Sequence, residues 1–221
     1  MAKYVITIDG PAASGKSTIA RAVAQKIGAV FLDTGAMYRA FTLAAMRAGC
    51  DLSDENALEK VLAGTDFNFE AVAGQMNVFI DGNDVTEQIR DPEVTANVHY
   101  IASVPAFRAK LVEMQRVFAG EQEIIVTEGR DQGTVAFPDA ELKFFLTASA
   151  RQRAVRRAKE LKAKGLSCDV GKIQRLIEER DLADAGRAVG PLLRADDAIE
   201  VDTTNMTIDE VVTELMRHVK K

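Results

Sequence analysis

The sequence predicts an α/β fold, a five-stranded parallel sheet covered by helices on both faces and carrying one small antiparallel insertion. Three observations support this. Short β-branched and aromatic runs alternate with helical patterns along most of the chain, the first run passes directly into a glycine-rich loop and then a helix, and residues 66–90 switch to period-two patterning. Alternation of strand and helix implies parallel strands buried on both faces, because each crossover helix must pack back onto the sheet.

The strand-like runs are YVITI at 4–8, AVFL at 29–32, EIIVT at 123–127, LKFFL at 142–146 and AIEV at 198–201. Helical spacing of apolar residues appears at 17–27, 38–49, 107–119 and 208–219. Residues 66–90 contain FNFEA and MNVFI with turn signals at Ala73-Gly74 and Asp81-Gly82, which read as a small antiparallel sheet. No Gly/Ser linker flanks it, so it is expected to pack against the core rather than hang from a tether. The expected organisation is a single chain, with a core of 1–62 and 102–221, an insertion at about 63–101, and a short helical lid at about 151–187.

Composition narrows the function classes. The 221 residues suit one large domain or a core with an insertion and exclude a two-enzyme fusion. With 28 Lys and Arg against 33 Asp and Glu, a net charge of −5, the whole chain offers no footprint for nucleic acid or an anionic membrane. Any phosphate must therefore be captured by a local cluster. Cys50 and Cys168 lie far apart, and the only histidines are His99 and His218, which argues against a disulfide scaffold or a structural zinc site. No apolar run approaches the ~18 residues of a membrane span, and the start shows no signal-peptide core. A cytoplasmic monomer is expected, without membrane or nucleic-acid partners.

After the first strand comes Gly10-Pro11-Ala12-Ala13-Ser14-Gly15-Lys16-Ser17-Thr18, which fits G-x-x-x-x-G-K-[ST] and opens a helix. Such a loop turns backbone N–H groups inward, and the helix N-terminus adds partial positive charge. Lys16 is expected to reach the β- and γ-phosphates of a nucleoside triphosphate, and the Ser17 hydroxyl to bind the Mg2+ that bridges them. A guanine-reading N-K-x-D string is missing, and EIIVTEG offers only Glu128 as the acidic strand end of an ATPase motor. The weight falls on a small phosphotransferase with a second substrate site.

Arginines sit where that site belongs. Thr34, Tyr38 and Arg39 follow the second strand and Arg130-Asp131 the third, at the sheet edge where α/β folds bind ligands. Arg180, Asp184 and Arg187 fall on one helical face by spacing. Guanidinium forks at 39, 130 and 187 could clamp a dianionic acceptor. Arg151, Arg153, Arg156 and Arg157 form a basic stretch suited to a lid over the transferring phosphoryl group. Asp9 and Asp33 could order magnesium-bound waters or serve the loops structurally. A phosphotransferase with another small acceptor and a non-catalytic nucleotide switch remain as rivals at this point.

The strings VITIDGP, GKST, FLDTGAMYRA, NDVTEQIR, EGRD, FPDA, RRAKELKAKG and ERD, spread over essentially the whole chain, resemble those of the bacterial cytidylate kinases, a branch of the nucleoside monophosphate kinases. The resemblance implies a P-loop NTPase-type three-layer fold and ATP-dependent, Mg2+-assisted phosphoryl transfer to CMP and dCMP. It implies that residues 10–18 hold ATP, and that Arg39, Arg130 and Arg187 hold the acceptor phosphate, with Thr34 where the family often has serine. Arg180 and Asp184 would lie at the sugar, and Arg108 and Asp131 at the base, where His99 stands in place of a base-reading serine and Ser103 follows one turn later. Lys16, Arg130, Arg187 and the lid residue Arg157 would act on the transferring group. Leu182 and Ala183 stand where the family commonly has an extra arginine, and Ala106 replaces another before Arg108, which lowers the lid's charge.

Overall fold

A computed structural model describes residues 4–163 and 165–219. Strands β1 (Tyr4–Asp9), β2 (Val30–Asp33), β6 (Ile124–Gly129), β7 (Leu142–Thr147) and β8 (Ile199–Asp202) form a five-stranded parallel sheet with flanking helices, in the order β2-β6-β1-β7-β8. The pairs Ile6↔Leu142 to Asp9↔Phe145 and Phe144↔Ile199 to Thr147↔Asp202 set the register of β1, β7 and β8. All five expected strands are present, each within a residue or two of its expected position. Their side chains are buried from Val5 to Asp9 in β1 and from Ile125 to Glu128 in β6, as two-sided packing requires.

The chain divides into two compact units, a middle unit of residues 28–125 and a terminal unit of residues 4–27 with 126–219. The middle unit holds β2, α2 (Thr34–Arg47), α3 (Glu55–Ala63), the antiparallel sheet β3 (Phe67–Val72), β4 (Gln75–Ile80) and β5 (Asn83–Asp84), then α4 (Pro92–Ala102) and α5 (Pro105–Gly120). Both hairpin loops are two residues long with positive φ at each residue (Ala73 51°, Gly74 76°, Asp81 49°, Gly82 73°), the backbone that matches strand twist. Along β4, Met76, Val78 and Ile80 are buried and alternate with half-buried neighbours. The sheet packs on β2 and α2, through Phe31 N–H donating to Gly74 O (3.0 Å) and the rings of Phe41 and Phe67 at 4.4 Å.

Helix α2 starts four residues earlier than the apolar spacing suggests, at Thr34. The Asp33 carboxylate accepts from Ala36 N–H (2.9 Å), a cap strong enough to carry Gly35 into the first turn. Helices α4 and α5 begin at Pro92 and Pro105, where a missing N–H costs nothing.

The terminal unit holds β1, the glycine-rich loop, α1 (Lys16–Ile27), β6 from Val126, β7, α6 (Ala150–Ala163), α7 (Val170–Ala185), β8 and α8 (Ile208–His218). Between β6 and β7 lies an unforeseen π-helical turn at Gln132–Ala136. Its bonds run from Ala136 N–H to Asp131 O (3.2 Å) and from Phe137 N–H to Gln132 O (2.7 Å). Helix α7 stops at Ala185 before Gly186, so Arg187 lies beyond it. The expectation that one helical face carries Arg180, Asp184 and Arg187 is corrected to two residues on the helix and one in the loop.

Gly10 joins β1 to the loop with φ +150°, and a Cβ there would lie 2.2 Å from the Leu146 carbonyl oxygen. Strain and overlap together predict that Gly10→Ala costs about 2–5 kcal/mol, a fall in Tm of roughly 5–15 °C. A thermal scan showing an unchanged Tm would disprove this.

Candidate active site

The loop after β1 is curled by Gly10, by Ala13 at φ 58° and by Gly15 at φ 92°. Ala13 tolerates a left-handed backbone that most side chains avoid, an expense typical of ligand-binding loops. Helix α1 starts at Lys16, so its first N–H groups face the loop, as anion binding needs. The Lys16 ammonium folds back to donate to Pro11 O (2.7 Å) and lies 3.4 Å from Ser14 Oγ. Burial, with repulsion from Arg130 and Arg180, lowers the Lys16 pKa to about 7, although Glu128 and Asp9 pull the other way.

The end of β6 adds an acid that the sequence reading gave little weight. Ser17 Oγ donates to Glu128 Oε1 (2.9 Å), and Glu128 is buried. A hydroxyl and a carboxylate side by side at the start of α1 are hard oxygen donors of the kind Mg2+ takes, directly or through its waters. Asp9 has a different task, accepting from Gln132 N–H (2.9 Å) and Gly133 N–H (2.7 Å) and so fastening the loop that carries Arg130 and Asp131. Burial lifts Asp9 to about 6 against these two bonds, with buried Asp131 adding to the rise and Lys16 opposing it. Gly133 permits the approach, since a Cβ there would meet Thr7 Oγ1 at 3.0 Å.

Beside this loop stands an arginine cluster. Arg130 Nε donates to Asp184 Oδ2 (2.7 Å) and Arg187 Nη2 donates to Asp184 Oδ1, while Arg180 is exposed one turn earlier on α7. Burial alone would raise the Asp184 pKa, but Arg130, Arg187 and Arg180 outweigh it and hold the carboxyl below its usual range. Three guanidiniums against one carboxylate leave a local charge of +2, matched to a phosphate dianion.

In the middle unit Arg39 pairs with Asp33 (3.2 Å), which Arg90 also approaches at 3.7 Å. Among the described residues, the buried Arg39 Nε has no hydrogen-bond partner. Asp33 is thus a helix cap and an arginine holder. Thr34 is buried in the first turn of α2, and buried Arg108 donates to Ala102 O (3.5 Å) while its guanidinium lies 5.7 Å from the centre of the Tyr38 ring. His99 and Ser103 are exposed on and just after α4. The His99 Nδ1 lies 2.9 Å from Ala96 O, its ring is 4.1 Å from that of Tyr100, and Ser103 Oγ donates to Tyr100 O (3.2 Å).

A family model described as cytidylate kinase matches residues 6–221. The chain belongs to the cytidylate kinase family. It is 49% identical over 217 residues to the cytidylate kinase of Desulforamulus reducens, covering 98% of this chain and 96% of that one. It is 48% identical over 218 residues to that of Pediococcus pentosaceus, covering 99% and 96%. Among solved structures, TT1252 from Thermus thermophilus shares the fold, with a TM-score of 0.50 at 16% identity and full coverage of both chains.

For this member of the cytidylate kinase family, α6 gives a more detailed account of the lid arginines than the sequence did. Arg157 is exposed and pairs with Glu160 (2.9 Å). Arg153 and Arg156 instead reach the phosphate loop, with Arg153 Nη1 donating to Ala12 O (3.1 Å) and Arg156 Nη1 to Ser14 O (3.4 Å). Arg156 also donates to Thr203 Oγ1 (3.0 Å) and to Thr203 O after β8. Residue type and spacing alone could not separate the arginines that serve the loop's backbone, Arg153 and Arg156, from Arg151 and Arg157, whose side chains are exposed.

Because the Lys16 pKa is about 7, its amine is mostly neutral at pH 8. Bound triphosphate charge must raise that pKa, so nucleotide binding at pH 8 should take up close to one proton, and far less at pH 6. Calorimetry in buffers of different ionisation enthalpy reads this directly; equal heats in all buffers at pH 8 would remove Lys16 from the phosphate site.

Proposed function

We propose that this chain transfers the γ-phosphoryl group of ATP, with Mg2+, to CMP and dCMP, giving CDP and dCDP. The observation that carries the reading is a contact. Asp181 on α7, beside Arg180 and Asp184, accepts from the Ala12 N–H of the loop (3.3 Å), so a donor-phosphate loop and a second anion-binding cluster adjoin within one unit; burial, with added repulsion from Arg130 and Arg180, lowers the Lys16 pKa there. A switch module needs only the first. The family assignment names the acceptor class, and no helix among the described residues is long and apolar enough to cross a membrane.

In this reading residues 10–18 hold the ATP phosphates, with backbone N–H groups and Lys16 on the β- and γ-oxygens. Ser17 and Glu128 would hold the Mg2+, whose chemistry is to neutralise charge on the bridged phosphate oxygens. The acceptor phosphate is itself the nucleophile, so no base is required. Arg130 and Arg187 bind it, align it for in-line attack and offset the repulsion between two anions. Asp184 keeps those two guanidiniums in place and, with Arg180, faces the sugar. By the family likeness Thr34 and Arg39 are assigned to the acceptor phosphate, Arg108 and Asp131 to the base, His99 or Ser103 to a further base contact, and Arg157 to the transferring group.

Arg130→Ala and Arg187→Ala should each weaken CMP binding roughly 10- to 150-fold, the equivalent of about 1.5–3 kcal/mol per charged bond, with a much smaller effect on ATP. Equal losses for both substrates would move these arginines from acceptor capture to the transferring phosphoryl group.

Base choice gives the sharper test. A buried carboxylate at 131 accepts from the exocyclic amine of cytosine and meets the carbonyl of uracil with like partial charge. Sites committed to such a bond can reject the wrong partner by up to about 10⁴-fold. Asp131→Ala should therefore lower kcat/KM for CMP strongly and for UMP little. An unchanged CMP to UMP ratio would assign base selection elsewhere.

A further inference from the structure

Asp181 lies on α7 between Arg180 and Asp184, but it faces the phosphate loop. Its Oδ1 accepts from Ala12 N–H (3.3 Å), and its Oδ2 pairs with Arg153 Nη1 at 2.6 Å. The same Nη1 donates to Ala12 O (3.1 Å), and Arg153 Nε donates to Ala148 O after β7 (2.9 Å). Both backbone groups of one loop residue are thus held by a single ion pair bridging α6 and α7. Only 7% of the Arg153 side chain and 21% of the Asp181 side chain is exposed, so solvent screening of the pair is weak. One turn further along α7, Asp184 fixes Arg130 and Arg187.

We propose that Asp181, through Arg153 and the Ala12 peptide groups, is the positioning residue that couples donor binding to acceptor binding. The inference rests on the reading of the α7 cluster as the acceptor site. Donor phosphates order the loop that contains Ala12; acceptor phosphate orders Arg130, Arg187 and, through Asp184, the end of α7. Because the Ala12–Asp181–Arg153 contact joins the two, the entropy lost in ordering it is lost once, whichever ligand arrives first. The second ligand then binds more tightly, and by the same factor in either order.

One neighbour and two substitutions define the contact chemically. Arg156 holds Ser14 O and Thr203, so the loop keeps one tie to α6 when Asp181 is changed. Asp181→Asn retains an oxygen for the Ala12 N–H but abolishes the ion pair. Arg153→Lys retains a charge, but one ammonium cannot serve Ala148 O, Ala12 O and Asp181 in the planar geometry of the fork.

The test measures CMP affinity by calorimetry, with and without a saturating Mg2+ complex of a non-hydrolysable ATP analogue. In the wild-type chain the analogue should tighten CMP several-fold or more, within the roughly 5- to 150-fold range of such couplings. Asp181→Asn should bring that ratio close to one while shifting the CMP affinity measured alone far less. Arg153→Lys should do the same, and the double variant should lose no more than either single one. A wild-type ratio of one, or a ratio preserved in Asp181→Asn, overturns the inference. Failure of the underlying site reading looks different, because Arg130→Ala and Arg187→Ala would then leave CMP affinity intact. Matching thermal transitions and the unaltered affinity for CMP alone separate lost coupling from lost folding.

Discussion

The site rests on positive charge that the fold concentrates and leaves only partly neutralised. Lys16, Arg130, Arg180 and Arg187 belong to one unit, and the Lys16 ammonium is depressed to about 7 by burial and by the nearby guanidiniums. The protein's own carboxylates divide the work of making this tolerable. Asp184 binds two arginines, Glu128 faces Ser17, and Asp9 serves backbone rather than cation. What remains is a deficit of negative charge that polyphosphate and phosphate dianions would fill. Solvation that water cannot supply to a buried ammonium would then come from the substrate, which would give binding and alignment a common physical source.

Much of the framework was legible in the sequence because it depends on local rules. A β-branched run ending in Asp9-Gly10 can only be a strand entering a turn, and G-x-x-x-x-G-K-S fixes the relation of that turn to the next helix. The hairpins of β3, β4 and β5 were readable from Ala73-Gly74 and Asp81-Gly82, since two-residue loops demand residues tolerant of positive φ. Arg130 and Asp131 stood out as candidates because they follow a buried strand directly. The early start of α2 was missed because a glycine at 35 argues locally against a helix that a capping carboxylate then supports.

The remainder depended on partners distant in sequence. Nothing near Glu128 announces that a hydroxyl 111 residues away will donate to it. Asp9 resembles any acid at a strand end until Gln132 and Gly133 present their N–H groups, and the π-helical turn that points those groups inward has no compositional signature. Among the arginines of α6 the distinction is one of helical angle. Arg153 and Arg156 face the loop and are consumed by carbonyls, whereas Arg157 keeps an exposed guanidinium paired only with Glu160 within its own helix. A basic stretch in sequence therefore overstates the number of arginines free for substrate.

The two perturbed groups at the heart of the site show what this arrangement costs the empty fold. Asp9 is raised above its unfolded value of 3.8 to about 6, so the folded chain binds the extra proton between those values and stability falls as pH rises through that window. Lys16 is lowered from 10.5 to about 7, so the unfolded chain binds the extra proton and stability rises only above pH 7. Between about pH 6 and 7 both penalties are present in full. A phosphate bound beside them would relieve the Lys16 penalty and deepen that of Asp9, because added negative charge favours the ammonium and disfavours the carboxylate. The gain at Lys16 would exceed the loss at Asp9 only if phosphates lay closer to the lysine, the residue at which α1 begins. Gly10 and Gly15 adopt the curl of residues 10–15 without steric cost and only Ala13 holds a strained backbone to complete it, so strain and buried charge are both concentrated in the loop that the reading gives to phosphate.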